Sequence, residues 1–152
     1  MCTSFLGELM TATHNFGTAP TRATSAADTF KAALYLTSAT VNASTTAYSA
    51  TGEVTGTNYS AGGTTVTNAT PPASTNSSST AGVGYWTPSA SITYTNVTLS
   101  TAFDSVLVYN STQSNKAVSV HTFGSQTITA GNFTLTMPSN TTTTALLRLS
   151  TT

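Results

Sequence analysis

The fold of this chain is decided by residues 102–137, which read AFDSVLVYNSTQSNKAVSVHTFGSQTITAGNFTLTM. Residues 103–109 carry large apolar side chains at both odd and even positions, which predicts a strand buried on both faces. Residues 110–116 contain no large apolar side chain and predict a connector. Polar and apolar residues then alternate, while Phe123-Gly124 and Ala130-Gly131-Asn132 predict turns. The stretch therefore predicts a β-meander of four strands.

The composition indicates an all-β protein. The chain has 37 Thr and 20 Ser among 152 residues, and only 5% of its residues are charged. Thr favours extended backbone and can face solvent from a strand, whereas exposed helical faces are usually built from Lys, Glu and Arg. Phe, Tyr, Leu and Val recur at the period of a strand, which argues against disorder.

The charge balance excludes several partners. Four basic and four acidic residues give a net charge of zero, so we expect neither nucleic-acid binding nor attachment to a membrane surface. No apolar run approaches the roughly 20 residues of a membrane-spanning helix. Glu8 interrupts the first apolar stretch, and no basic residue precedes it, so we expect no secretory signal. A lone Cys2 allows no internal disulfide, which fits folding in a reducing cytoplasm.

We expect one domain with three parts: an N-terminal helix or arm (1–16), a linker (17–27) and a β-sandwich (28–152). Ser4 is a suitable helix N-cap, and an apolar stripe follows it at helical spacing. The residues of this stripe are Phe5, Leu6, Leu9 and Met10. Residues 28–37 (DTFKAALYLT) predict the first strand of the sandwich.

The remainder predicts about eight short strands with turns every 8–12 residues or so, typical of an antiparallel β-sandwich or a jelly-roll-like barrel. Residues 38–60 predict a long loop anchored by Tyr48, Val54 and Tyr59. Gly62-Gly63 predicts a turn before a short strand, and residues 71–82 predict an exposed loop. The predicted core consists of Phe30, Leu34, Leu36, Val106, Val108, Phe123, Phe133, Leu135, Leu147 and Leu149.

No pattern predicts catalysis, a metal site or a cofactor. Asp104, Ser105 and His121 are the only acid, hydroxyl and imidazole near one another in the predicted strands. Adjacent strand residues point to opposite faces, so Asp104 and Ser105 cannot both reach His121 without a bulge. His14 and His121 lack the further ligands of a metal site. We therefore expect that the protein is not an enzyme.

Two residue types suggest glycans, each with a simpler explanation. Eight Asn-X-Ser/Thr triplets occur, but a chain so rich in Ser and Thr produces such triplets by composition alone. Aromatic side chains can stack on sugar rings, although they more often serve as core or interface anchors. The aromatic residues in question are Tyr48, Tyr59, Tyr85, Trp86 and Tyr94.

Several blocks of the sequence resemble a family of small virion structural proteins encoded by tailed bacteriophages. The blocks are THNF (13–16), DTFKAALYLTSAT (28–40), TTAYSATGEVTGTNYSAGG (45–63), VLVYNSTQSNKAVSVHTFGS (106–125), GNFTLTMP (131–138) and the closing LLRLS. The resemblance covers most of the chain except residues 71–86, where family members carry a more regular strand. It implies a particle component without enzymatic activity, made in a bacterial cytoplasm and incorporated into the virion.

The expected role is a capsid decoration (cement) protein that stabilises the head by binding between major capsid subunits. The alternative is a receptor- or glycan-binding module of a tail or head fibre, or a tail or adaptor component. We expect a homo-oligomer, most simply a trimer, whose partners are itself and the major capsid protein. The expected contact residues are Phe5, Leu6, Leu9, Met10, Tyr85 and Trp86. Alternatively, the N-terminal helix covers its own sandwich.

Overall fold

The computed structural model describes Cys2, Leu9, Thr13, His14, Phe16 and residues 27–69, 72–75 and 82–150. These residues form two antiparallel sheets, which confirms the predicted all-β, sandwich-like fold. The first sheet has the strand order β2-β1-β5-β6 and the second has the order β3-β4-β7. The strands are β1 (Phe30–Leu36), β2 (Thr64–Val66), β3 (Ala73–Ser74), β4 (Val83–Trp86), β5 (Ile92–Asn110), β6 (Lys116–Leu135) and β7 (Leu147–Ser150).

The centre of the first sheet is the pairing of β1 with β5. Leu34 lies opposite Val106 and Ala32 lies opposite Val108. Four consecutive residues of β1, from Ala32 to Tyr35, are buried, as are the last six residues of β5. Both strands are therefore covered on both faces, as the continuous apolar runs predict for strands in the middle of a sheet.

The predicted four-stranded meander is wrong in its strand count. Residues 102–135 contain parts of only two strands and the connector 111–115, because β5 and β6 are 19 and 20 residues long. Asn96 and Ala130 have φ values of 50° and 47°, and the pairing register shifts near both of them. A residue with positive φ can be absorbed as a β-bulge without ending the strand. Ala130-Gly131-Asn132 is such an irregularity and not the predicted turn.

Two predicted turns are confirmed. Gly62 and Gly63, with φ values of 85° and 73°, precede the short strand β2. The connector between β5 and β6 turns through Ser114 and Asn115, which also have positive φ. Residues 71–82 were predicted to be only a loop, yet within them Ala73–Ser74 pairs with β4. The exposed character of those two residues is as predicted.

The predicted core is partly correct. Four of its members are buried: Phe30, Leu34, Val106 and Val108. The prediction for Leu149 is wrong, because 45% of its surface is exposed. Leu149 continues the parity of Leu147, but it lies near the end of β7, which is an edge strand of the second sheet. The other predicted core residues are half-buried and pack against the core: Leu36, Phe123, Phe133, Leu135 and Leu147.

Aromatic side chains join the two sheets. Trp86 of β4 is only 3% exposed, and its ring centroid lies 6.2 Å from that of Phe30 in β1. Phe16 stacks on Phe30 at 4.5 Å and contacts Trp86 at 4.7 Å. The predicted N-terminal helix and the linker lie largely outside the described residues.

Candidate functional site

The residues weighed for a catalytic triad do not come together. His121 lies opposite Val106 on the neighbouring strand, whereas Ser105 lies opposite Thr122. Since strand residues alternate between faces, Ser105 points away from His121. The Nε2 atom of His121 lies 3.0 Å from the Oγ atom of Ser119, and burial lowers the pKa of His121. Among the described residues, no hydrogen bond links His121 to Asp104.

A buried polar network surrounds Asn110, the last residue of β5. Its side-chain Nδ2 donates to the Asp28 carboxylate at 2.7 Å and lies 3.1 Å from Nδ1 of His14. Its Oδ1 accepts the backbone N–H groups of Thr112 and Gln113. The amide thus ties the segment before β1 and the N-terminal segment to the β5–β6 connector. The role of Asn110 is not predictable from the sequence, because its partners Asp28 and His14 are 82 and 96 residues away.

A second buried polar centre surrounds Glu53, which is 7% exposed. The hydroxyls of Tyr48 and Tyr59 donate to its carboxylate at 2.6 and 2.7 Å, and the backbone N–H of Gly62 donates at 2.8 Å. We define Glu53, Tyr48 and Tyr59 as the Glu53 centre. Three donors satisfy this buried carboxylate, as a buried charge requires. The centre fixes the long excursion between β1 and β2, which confirms Tyr48 and Tyr59 as loop anchors.

Other tyrosines extend this centre across the face of the first sheet. Tyr109 donates to the carbonyl of Gly62 at 2.8 Å, and Tyr94 donates to that of Ala32 at 2.7 Å. Tyr35 donates to the carbonyl of Ser49. Burial raises the pKa of Tyr35 to about 12 and also raises the pKa of Tyr94 and Tyr109. The phenols therefore remain protonated and act as hydrogen-bond donors.

The chemistry available at Glu53 is limited. A cavity of about 250 Å³ lies beside Glu53 and Tyr59 and is otherwise lined by small or apolar side chains and backbone. In the part of the chain that the structure describes, Glu53 is the only carboxylate that lines it. Glycoside hydrolysis uses a pair of carboxylates, and a metal site needs several ligands. Among the described residues, no group of three or more His, Cys, Asp or Glu side chains is placed to hold a metal ion.

An apolar groove of about 330 Å³ lies on the other face of the β5–β6 hairpin. Val106 and Val108 are buried at its floor, and His121 is the only ionisable residue among the described residues that line it. We define the apolar groove by its principal walls, which are Phe123, Phe133, Leu135, Met137 and Leu146; Gln126, Thr134 and Thr136 are its polar lining residues. Most of these wall residues were predicted to be core residues. Their apolar periodicity predicts the face on which they lie, but it does not show that this face of the sheet is only partly covered.

The predicted contact residues are in different situations. Trp86 is buried in its own chain, Tyr85 is half-buried, and Leu9 is half-buried against the core. Phe5, Leu6 and Met10 lie outside the described residues. The described part of the N-terminal segment contacts its own first sheet, for example where the Cys2 N–H donates to the carbonyl of Val118 at 3.0 Å. A contact of this segment with another subunit stays a prediction.

The aromatic residues considered for sugar stacking mostly pack on other aromatic rings of the same chain. Tyr48 stacks on Tyr109 at 4.7 Å, and Tyr59 stacks on Tyr94 at 5.7 Å. In the described part of the chain, no helix is long and apolar enough to cross a membrane. Comparison with models of known protein families, with curated proteins and with solved structures finds no match.

Proposed function

We propose that this chain is a structural protein of a tailed-bacteriophage virion, made in the bacterial cytoplasm. Its specific role in this proposal is capsid decoration, in which it binds the head between major capsid subunits and stabilises the shell. The proposal combines the resemblance of the sequence blocks to such proteins with two features of the structure. One is the internal use of the buried polar groups, and the other is a long uncharged surface.

The observation that carries the proposal is the uncharged stretch from residue 117 to residue 147. It contains no Asp, Glu, Lys or Arg, and it includes most of β6, the following loop and most of the lining of the apolar groove. A surface of this kind can be covered by a protein partner without burying an unpaired charge. It offers no electrostatic attraction to nucleic acid or to anionic lipid.

The buried ionisable groups serve the fold in this account. Glu53 accepts three hydrogen bonds from its own chain, and Asp28 accepts hydrogen bonds from Asn110 and Gln113. A particle component that is present in many identical copies needs a rigid shape and needs neither a reacting group nor a cofactor. The proposal therefore assigns these carboxylates to stability and not to catalysis.

The arrangement of the aromatic side chains gives no support to the competing glycan-binding role. A stacking platform needs exposed aromatic faces, but Trp86 and Tyr94 are buried. Tyr48 and Tyr59 belong to the Glu53 centre and also stack on other tyrosines. Only Tyr85 of the five candidates is left without a described ring contact, and it is half-buried. No observation favours this second role.

Binding to particles tests the proposal. Purified chain would be added to heads of the encoding phage assembled without it, and bound and free protein would be separated by sedimentation. We expect saturable binding at a fixed ratio to the major capsid protein and increased resistance of the heads to heat. Tails and intact host cells would serve as matched competitors. Binding to tails or cells in preference to heads would contradict the decoration role.

A further inference from the structure

We propose that the apolar groove binds a second copy of this chain, with Leu149 of that copy inserted as the anchor. The contact would join the outer edge of β7 in one subunit to the outer edge of β6 in the next, beyond Val118, where the described N-terminal segment pairs with β6. This inference concerns self-association and does not depend on the proposed role in the virion. It rests on three features of the described residues: the groove, the exposure of Leu149 and the two strand edges.

The groove defines the chemistry of its occupant. Its walls are aromatic and aliphatic, and the described residues that line it include no Asp, Glu, Lys or Arg. Burial lowers the pKa of its one ionisable lining residue among these, His121. A neutral imidazole offers no charge to attract a carboxylate or a phosphate. The groove therefore fits an uncharged aliphatic or aromatic side chain, with a volume of about 330 Å³ to receive it and its neighbours.

Leu149 is a side chain of the required kind. Among the described residues, it is the only large hydrophobic side chain that is exposed. It does not line the groove of its own chain, and it lies in β7 opposite Gly84 of β4. One subunit thus presents both an apolar groove and an apolar side chain that its own fold keeps apart. In a pair of subunits, Leu149 of one copy can fill the apolar groove of the other.

The strand edges provide backbone groups for the same contact. β6 and β7 are edge strands of their sheets in the described structure, and residues 124–127 of β6 are exposed beside the groove. Ser105 pairs with Thr122 and Phe103 pairs with Gln126, so β6 has two more residues than β5 over this interval. The exposed residues 124–127 therefore lie at a bulge in β6.

The β6 edge lacks two common protections against pairing. Exposed edges are usually guarded by charged side chains or Pro, but residues 117–137 contain neither. The bulged register bends the edge, which limits pairing to a short strand such as the four residues of β7. Addition of a strand combines main-chain hydrogen bonds with a pocket for one alternate side chain. Because the two surfaces differ, the contact is head-to-tail and can close into a ring such as the expected trimer.

Charge substitutions at exposed positions test the contact without disturbing the core. Leu149→Lys places a charge on the anchor, and Thr136→Asp places the opposite charge in the groove lining. Thr95→Asp, at an exposed position of β5 that does not line the groove, is the matched control. Circular dichroism melts would verify folding. Sedimentation velocity over a range of concentrations would report the mass relative to the 15.5 kDa chain.

We expect the unaltered chain and Thr95→Asp to associate alike, and each single groove or anchor variant to associate at least about tenfold more weakly. The double variant Leu149→Lys/Thr136→Asp should recover association, because the two charges meet across the contact. A chain that is monomeric at all concentrations would overturn the proposal. So would unchanged association in both single variants, or loss in both with no recovery in the double variant. Loss of head binding by Thr136→Asp without any effect on self-association would instead identify a shell protein as the occupant.

Discussion

The Tyr59 hydroxyl donates to the Glu53 carboxylate at 2.7 Å while accepting the backbone N–H of Leu34 at 3.0 Å. One phenol therefore joins a buried charge to the central strand β1. Glu53 and Tyr59 both belong to the excursion between β1 and β2. This excursion contains no named strand and has few strand-like backbone pairings. The position of this excursion depends on the Glu53 centre more than on regular secondary structure.

Tyr59→Phe should lower the free energy of unfolding by about 2–3 kcal/mol. The substitution removes a hydrogen bond to a charged acceptor and leaves the Leu34 N–H without this partner. Tyr85→Phe is the control, since the Tyr85 hydroxyl makes no hydrogen bond to a described residue, and it should change stability by less than about 0.5 kcal/mol. Urea denaturation of both variants gives the comparison. Equal stabilities would show that the Glu53 centre contributes little.

Alkaline pH should destabilise the protein through its tyrosines. Burial raises the folded-state pKa of Tyr35 from 10.0 to about 12, so its stabilising contribution is complete below pH 10 and is lost as the pH rises towards 12. From pH 8 to pH 11 this group alone should lower the free energy of unfolding by about 1 kcal/mol, and the other buried tyrosines act in the same direction. Urea denaturation at both pH values measures the change. Constant stability over this range would contradict the buried placement of these phenols.

The strands at the centre of the fold were predictable because their signal is local. In β1 and β5 the apolar residues are continuous, and the residues that end the strands are adjacent in sequence. The turn at Gly62-Gly63 was likewise predictable, because glycine adopts positive φ values without steric cost. Tyr48, Val54 and Tyr59 were identifiable as anchors because they are the large apolar residues in an otherwise small and polar loop.

The full length of β5 and β6 was not predictable from the same local signals. Asn96 and Ala130-Gly131-Asn132 favour positive φ, and only the partner strand determines whether such residues make a turn or a bulge. Glu53 gave no sign of burial, since its donors Tyr48, Tyr59 and Gly62 are separated along the chain. Leu149 has the correct parity for the core, but the sequence does not show that it lies at the exposed end of an edge strand.

Gly63→Ala should destabilise the protein by at least about 2 kcal/mol. Gly63 has a φ value of 73°, and a Cβ atom there would lie 1.7 Å from the carbonyl oxygen of Ala32 and 2.7 Å from the Cα atom of Ala33. At Gly84 a Cβ atom would meet only the Leu149 carbonyl oxygen, at 3.9 Å. Gly84→Ala should therefore be tolerated. Similar melting temperatures for the two variants would contradict the close approach of Gly63 to β1.

Leu107→Ala and Leu149→Ala should differ sharply in stability. Leu107 is fully buried, so its truncation should cost about 2–5 kcal/mol, whereas truncation of the exposed Leu149 should cost less than about 0.5 kcal/mol. Urea denaturation at a concentration where the chain is monomeric separates folding from association. A large loss of stability for monomeric Leu149→Ala would mean that this side chain belongs to the core of its own subunit.

The copy number of the chain in purified virions tests the central claim most directly. Quantitative mass spectrometry with isotope-labelled peptides would measure the ratio of this chain to the major capsid protein, in whole particles and in heads separated from tails. A decoration protein should be found with the heads, in many copies and at a ratio that is constant between preparations. Absence from the particle, or a few copies found only with the tails, would contradict the account.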